Sequence, residues 1–209
     1  PLHDVVFGSC LNVTEHPLLD RAASLPMELF LFMGDNIYAD TTDMAVMRAK
    51  YQALGASSFY QTVRSKAVVL ATWDDHDLGQ NDGGADYPKR RESEKEFWDW
   101  LNEPYGSPLR KQEGVYQARV FGPEGRRTQV IMLDTRYFRS PLNKVPKEQG
   151  RDGGTSVPHT DTRTTVLGEA QWRWLEDVLK QPAELRLVVS SIQFAAEASG
   201  SESWANFPH

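Results

Sequence analysis

Glu28-Leu29-Phe30-Leu31-Phe32-Met33-Gly34-Asp35-Asn36-Ile37-Tyr38 (residues 28–38) holds the key to the fold. The unbroken apolar run from Leu29 to Met33 leaves no polar face, the pattern of a strand covered on both sides. Gly34 lets the backbone turn sharply, so that Asp35 points off the edge of the sheet. Tyr38 follows at a spacing of about one helical turn, which could turn its phenol oxygen toward the same point as the Asp35 carboxylate. A carboxylate in that position can bridge two cations. A phenol with an ordinary pKa of about 10 needs a strongly charged cation before it ionises. The plainer alternative is an Asx turn followed by a core aromatic.

The same punctuation recurs outward from this stretch. His3–Gly8 predicts a strand that runs into Ser9-Cys10-Leu11-Asn12, and Ala67–Thr72 one that runs into Trp73-Asp74-Asp75-His76-Asp77. Val115–Phe121 and Thr128–Leu133 pair around the turn Gly122–Gly125 and end in Asp134-Thr135-Arg136; Leu185–Ser190 ends in Ser191-Ile192-Gln193. Helices are predicted over Pro17–Ala23, Asp43–Leu54 behind a Thr41/Thr42 cap, Ser57–Arg64, Ser93–Leu101 and Leu167–Leu179. Gly79–Lys89 and the long, Gly- and Pro-rich Arg136–Val166 are loops. Apolar strands alternating with helices predict one α/β domain over residues 1–209, and the hairpin makes its sheet mixed.

Polar groups at five strand ends would converge on one rim, where α/β sheets bind ligands. Alone, Cys10 is most often a small buried hydrophobe; its place at a strand end allows a metal ligand, or a thiol nucleophile working with His76. Three carboxylates within Asp74-Asp75-His76-Asp77 repel one another unless solvent or cations compensate, and after a buried strand a metal is the simpler explanation. His76 could be a ligand or a general acid. Asn81 could lend a neutral oxygen to a cation or be a turn residue before Gly83-Gly84. Arg136 could grip a phosphate with its planar fork or pair with Asp134.

Bulk composition narrows the partners. With 209 residues, 40% hydrophobic and 25% charged, the chain has the make-up of a folded globular protein. Its net charge of −6 disfavours nucleic-acid backbones and anionic membranes. No apolar run approaches the roughly 20 residues of a membrane helix. With Cys10 the sole cysteine, no intrachain disulfide forms.

Four motifs in order carry a family likeness. Phe7-Gly8-Ser9-Cys10, Gly34-Asp35-Asn36-Ile37-Tyr38-Ala39-Asp40, Trp73-Asp74-Asp75-His76-Asp77 and Leu133-Asp134-Thr135-Arg136 resemble the alkaline phosphatase D (PhoD-like) metallophosphoesterases, from Val6 to the end of the chain. The resemblance implies a calcineurin-like β-sandwich flanked by helices and hydrolysis of small phosphate mono- and diesters. It implies Fe3+ held by Cys10 and Tyr38, with Asp35 bridging to a second ion served by Asp75 or Asn81, Ca2+ being the family's other metal, and His76 as a catalytic group; Arg136 as a catalytic phosphate holder is the reading from its own chemistry. It also implies work in the periplasm or outside the cell. The family carries a later Gly-Asp segment with a His, whereas this chain ends at Trp204-Ala205-Asn206-Phe207-Pro208-His209. The fold is therefore expected to be incomplete at its C-terminus, and a non-catalytic fragment that binds metal or a partner is the alternative function.

Overall fold

A computed structural model describes residues 1–12, 16–150, 153–196 and 200–208. His209 lies outside the described residues. Strands β1 (Val5–Gly8), β2 (Leu29–Met33) and β3 (Val68–Thr72) form a parallel sheet in that order. A second sheet has the order β4 (Gln117–Phe121), β5 (Thr128–Met132), β8 (Leu185–Val189). Here β4 runs antiparallel to β5, as a hairpin must, while β8 runs parallel to it. A parallel return needs a crossover, which α6 (Gly168–Leu179) supplies.

Side-chain alternation sorts the strands into four layers. Leu29 and Leu31 of β2 join Leu70 of β3 against Val130 and Met132 of β5 and Val189 of β8, so the two sheets pack face to face. The opposite parity, Phe30, Phe32 and Ala71, meets Tyr51, Phe59, Phe97 and Trp100 on the helical side. Those residues come from α2 (Met44–Ala56), α3 (Ser58–Lys66) and α5 (Arg90–Trp100). On the far side Ile131 and Leu133 meet Leu175 and Val178 of α6. Burial on both faces accounts for the apolar runs of β2 and β5, whereas Phe7 of β1 and Leu185 and Val188 of β8, expected to be buried, are exposed because each strand lies at the edge of its sheet. The result is a sandwich with helices on its two outer faces, as expected.

Local differences have simple causes. α1 (Pro17–Ser24) matches the expected helix, with proline at its first position. The cap of α2 is Asp43, whose side chain accepts from Ala45 N at 2.8 Å; Thr41 Oγ1 instead accepts from Asp43 N at 3.0 Å. α5 begins at Arg90, earlier than the apolar face alone suggested. Asp75–Leu78, read as a strand's end, coils into a one-turn helix, α4. The segment expected as a bare loop after Arg136 contains a two-residue ladder between β6 (Asn143–Lys144) and β7 (Ser156–Val157), and a 3-10 turn at Lys147–Gln149. No described helix is long and apolar enough to cross a membrane.

Candidate metal centre

The ends of β2, β3, β5 and β8 do meet. Thr72 Oγ1 donates to Leu133 O at 2.6 Å, and Trp73 Nε1 donates to Asp134 Oδ1 at 2.8 Å. Ser191, just past β8, donates to Asp74 Oδ1 at 2.8 Å. The first strand joins through its loop: Cys10 N donates to Gly34 O at 3.1 Å and Leu11 N to Asp35 O at 2.7 Å. Gly34 has φ 108°, and a Cβ there would lie 2.7 Å from Asp74 Cβ and 2.9 Å from Ser191 Cβ. Only glycine lets β2 turn beneath those two side chains. Cys10 and Asp35 themselves take left-handed backbone, φ 59° and 52°. Asp40 and Asp82, at φ 44° and 56°, share this less favourable conformation, so strained backbone gathers around the rim.

Asp35 is 7% exposed, and its Oδ1 is buried with no hydrogen-bond partner. Burial, then the charges of Asp74 and Asp75, push its carboxyl up to about 6. Burial, then the neighbouring Asp35 and Cys10, push the Tyr38 phenol well above its usual range. Asp35, Asp75 and His76 bring ligand atoms within 4.8 Å of one another. Burial raises Asp75, but the Arg136 charge, the amide of Asp82 and His76 outweigh it and hold the carboxyl below the usual range.

A cation fits this set. A buried carboxylate oxygen without a donor is costly, and a phenol held protonated beside a thiol and a carboxylate is where strong positive charge would do most. Asp35, Asp75 and His76 offer two carboxylates and an imidazole in one group, while the exposed Cys10 thiol lies beside Tyr38 and outside that group.

His76 lies with its ring centroid 4.3 Å from that of Tyr38, and its Nδ1 is 2.7 Å from Asp40 Oδ1. Burial lowers its pKa, but the hydrogen bond to Asp40 and the charges of Asp75 and Asp35 prevail and raise it.

Not every expected residue reaches the rim. Asp77 is fully buried and faces the other way. Its oxygens accept from Asn36 N at 3.0 Å, Asp74 N at 3.0 Å, Ile37 N at 3.1 Å and Tyr51 Oη at 3.2 Å. The acidic cluster therefore needs no metal on Asp77's account; amides already compensate it. Asp134 is likewise a structural clamp, with Val115 N, Arg136 N and Tyr137 N at 2.8, 2.8 and 2.9 Å besides Trp73. Arg136 is only 1% exposed. Its donors are taken by Asp74 at 2.5 Å, by Glu202 at 2.5 Å and by Gly83 O at 3.3 Å. The expectation that its fork grips a phosphate gives way to a buried brace behind Asp74 and Asp75, because no donor is left facing solvent. Its side chain pairs with Asp74 and not with Asp134. Asn81 is exposed in the turn Gln80–Gly83, where Gly83 N donates to Gln80 O at 2.7 Å.

Three carboxylates escaped the sequence. Asp40 orients His76. Asp82 and Glu202 form a second group with Asp75, ligand oxygens within 4.8 Å. Asp40 and Asp82 sit inside or beside quoted motifs. Glu202 carries no local signal, since it reaches the site only by folding back onto Arg136.

The family profile described as PhoD-like phosphatase matches residues 6–205. A solved structure titled "Structure of PhoD" superposes with a TM-score of 0.76 at 18% identity, covering 100% of this chain and 46% of that one. At that identity the likeness shows the fold, and the chain spans less than half the length of the solved protein. None of the curated proteins matches the chain.

Proposed function

The chain belongs to the PhoD-like phosphatase family, and from that premise we propose that the rim around Asp35 hydrolyses small phosphate mono- or diesters. The single observation behind this is the bare Oδ1 of Asp35, a buried oxygen in a group of ligands with nothing on it. Cys10, Asp35, Tyr38, Asp75 and Asn81 would hold Fe3+ and Ca2+. When bound, such ions supply Lewis-acid polarisation of the phosphoryl group. The remaining work belongs to the chain. Asp40 takes the Nδ1 side of His76, which leaves Nε2 to carry a proton toward a departing alkoxide. Arg136 acts as a positioning residue: it neutralises Asp74 and keeps Asp75 ionised from behind. Work outside the cytoplasm is part of the same proposal and rests on family membership.

The test is turnover of p-nitrophenyl phosphate by natively purified protein, with elemental analysis, beside Asp35→Asn. The proposal expects iron or calcium in the wild type and loss of turnover in the variant. Unchanged turnover removes Asp35 from the site; absence of both metals removes the metal assignment.

The rival reading is a segment that binds cations without turnover, and the group Asp35, Asp75 and His76 suits it equally. Metal uptake by the 209-residue chain without hydrolysis would select that rival.

A further inference from the structure

Beside the acidic rim lies a cavity of about 290 Å3 lined by, among others, Asp82, Lys144, Lys147, Thr155, Ser156 and Glu202. Asp82 and Glu202 are also the carboxylates that gather on Asp75, so the cavity shares two walls with the candidate metal centre. The charges on those walls are already balanced. Glu202 is held by Arg136 at 2.5 Å and Arg139 at 2.8 Å, and Asp82 by Lys144 at 2.5 Å. Lys147 stands outside this balance: it is exposed at the start of its 3-10 turn and has no ion-pair partner among the described residues. Ser156 is the opposite case, 1% exposed, with an Oγ that is buried and has no hydrogen-bond partner. A buried hydroxyl without a partner is costly, and native structures rarely leave one unless a ligand or water completes it. An unpaired ammonium on the cavity and an unused hydroxyl within its wall are both donors, and what they lack is an oxygen-rich anion.

We propose that this cavity is a leaving-group subsite, taking the alcohol half of a phosphate ester when that half carries its own carboxylate or second phosphate. The proposal rests on the phosphoesterase reading above and narrows its substrate class. In hydrolysis the P–O bond to the alcohol breaks, a bond from water oxygen to phosphorus forms, and the proton that water gives up goes to the departing alkoxide. Lys147 and Ser156 hold the far, anionic end of that alcohol while the bond breaks. A neutral alcohol would leave both donors unmet, which is how a polar site rejects the analogue that lacks the matching group.

The experiment compares phenyl phosphate with 4-carboxyphenyl phosphate and hydroquinone bisphosphate. The ratio of kcat/KM for either anionic ester over phenyl phosphate should exceed one in the wild type. It should fall about tenfold in Lys147→Glu, where one attractive charge becomes repulsive. Whichever anionic ester shows the larger fall identifies carboxylate or phosphate as the group recognised. Ser156→Ala should lower the ratio several-fold without lowering Tm, whereas a merely structural hydroxyl would leave the ratio alone. Ratios that move less than twofold in both variants overturn the subsite. Should the wild type hydrolyse none of the three esters, the hydrolytic reading fails by itself. Calorimetry of 4-carboxyphenyl phosphate on the chelator-treated chain then decides. A Kd weakened about tenfold by Lys147→Glu supports the subsite, and no binding, or equal binding by both proteins, overturns it.

Discussion

Asp35 and Asp77 are both buried aspartates joined to one short loop, yet their surroundings are opposite. Asp77 is 0% exposed and collects backbone amides from Asp74, Asn36 and Ile37 together with the Tyr51 hydroxyl. Asp35 is 7% exposed, and one of its oxygens collects nothing. Burial pushes Asp77 up to about 8 while those amides pull it back. Burial also raises Asp35, and there the neighbouring charges of Asp74 and Asp75 add to the rise. One carboxylate organises the loop and the other is presented by it. Counting the donors around each carboxylate separates scaffold from site, where counting carboxylates in the motif does not.

The contrast can be broken from either side. The largest effect should come from Asp35→Asn: hydrolysis falls on the order of 10³-fold, as expected when a bridging ligand is lost. The same variant should leave the metal-free fold as stable or more so, because a buried charge without a donor is gone; urea unfolding of both proteins checks this. Asp77→Ala should reverse the pattern. It strands three amides and a hydroxyl, and unfolding should show a loss of about 3 kcal/mol even without metal. Gly34→Ala comes next. Its Cβ would press on Asp74 and Ser191 in a backbone region that alanine resists, a loss of about 2 kcal/mol by thermal unfolding.

A pH series sharpens the comparison further. The Asp35 carboxyl, raised from 3.8 to about 6, keeps a proton in the folded chain that the unfolded chain has already released. Its contribution is present below pH 3.8 and is lost as pH rises through about 6. The metal-free protein should lose about 1–2 kcal/mol over that window, partial solvent access having reduced the full value. Asp35→Asn should flatten that part of the curve. The smallest effect belongs to Asp40→Asn, which should lower kcat about tenfold with little change in KM, since it touches His76 and not the substrate.

Much of this was legible in the chain. Continuous apolar runs marked β2, β3 and β5 because those strands are largely covered on both faces; the run in β8 marked a strand too, although Leu185 and Val188 there are exposed, and the reactive residues stood directly after all four. What stayed hidden depends on contacts between distant residues. Asp77 is answered by Asn36 and Ile37, whose amides reach it across some forty positions. Arg136 is buried by Glu202, a partner 66 residues away. Sequence spacing shows which residues share a turn, but not whose amides point at whom. For that reason the repulsion among the three carboxylates around His76 pointed to a metal, while the fold turns Asp77 inward, ties Asp74 to Arg136 and Ser191, and leaves Asp75 to join Asp35.

The central claim is that Asp35 Oδ1 awaits a cation. Anomalous diffraction from crystals of natively purified protein measures this directly. A metal peak at bonding distance from Asp35 Oδ1, and shared with the Tyr38 oxygen, is the predicted result. A peak-free map in which a water or a protein donor occupies Oδ1 would contradict it.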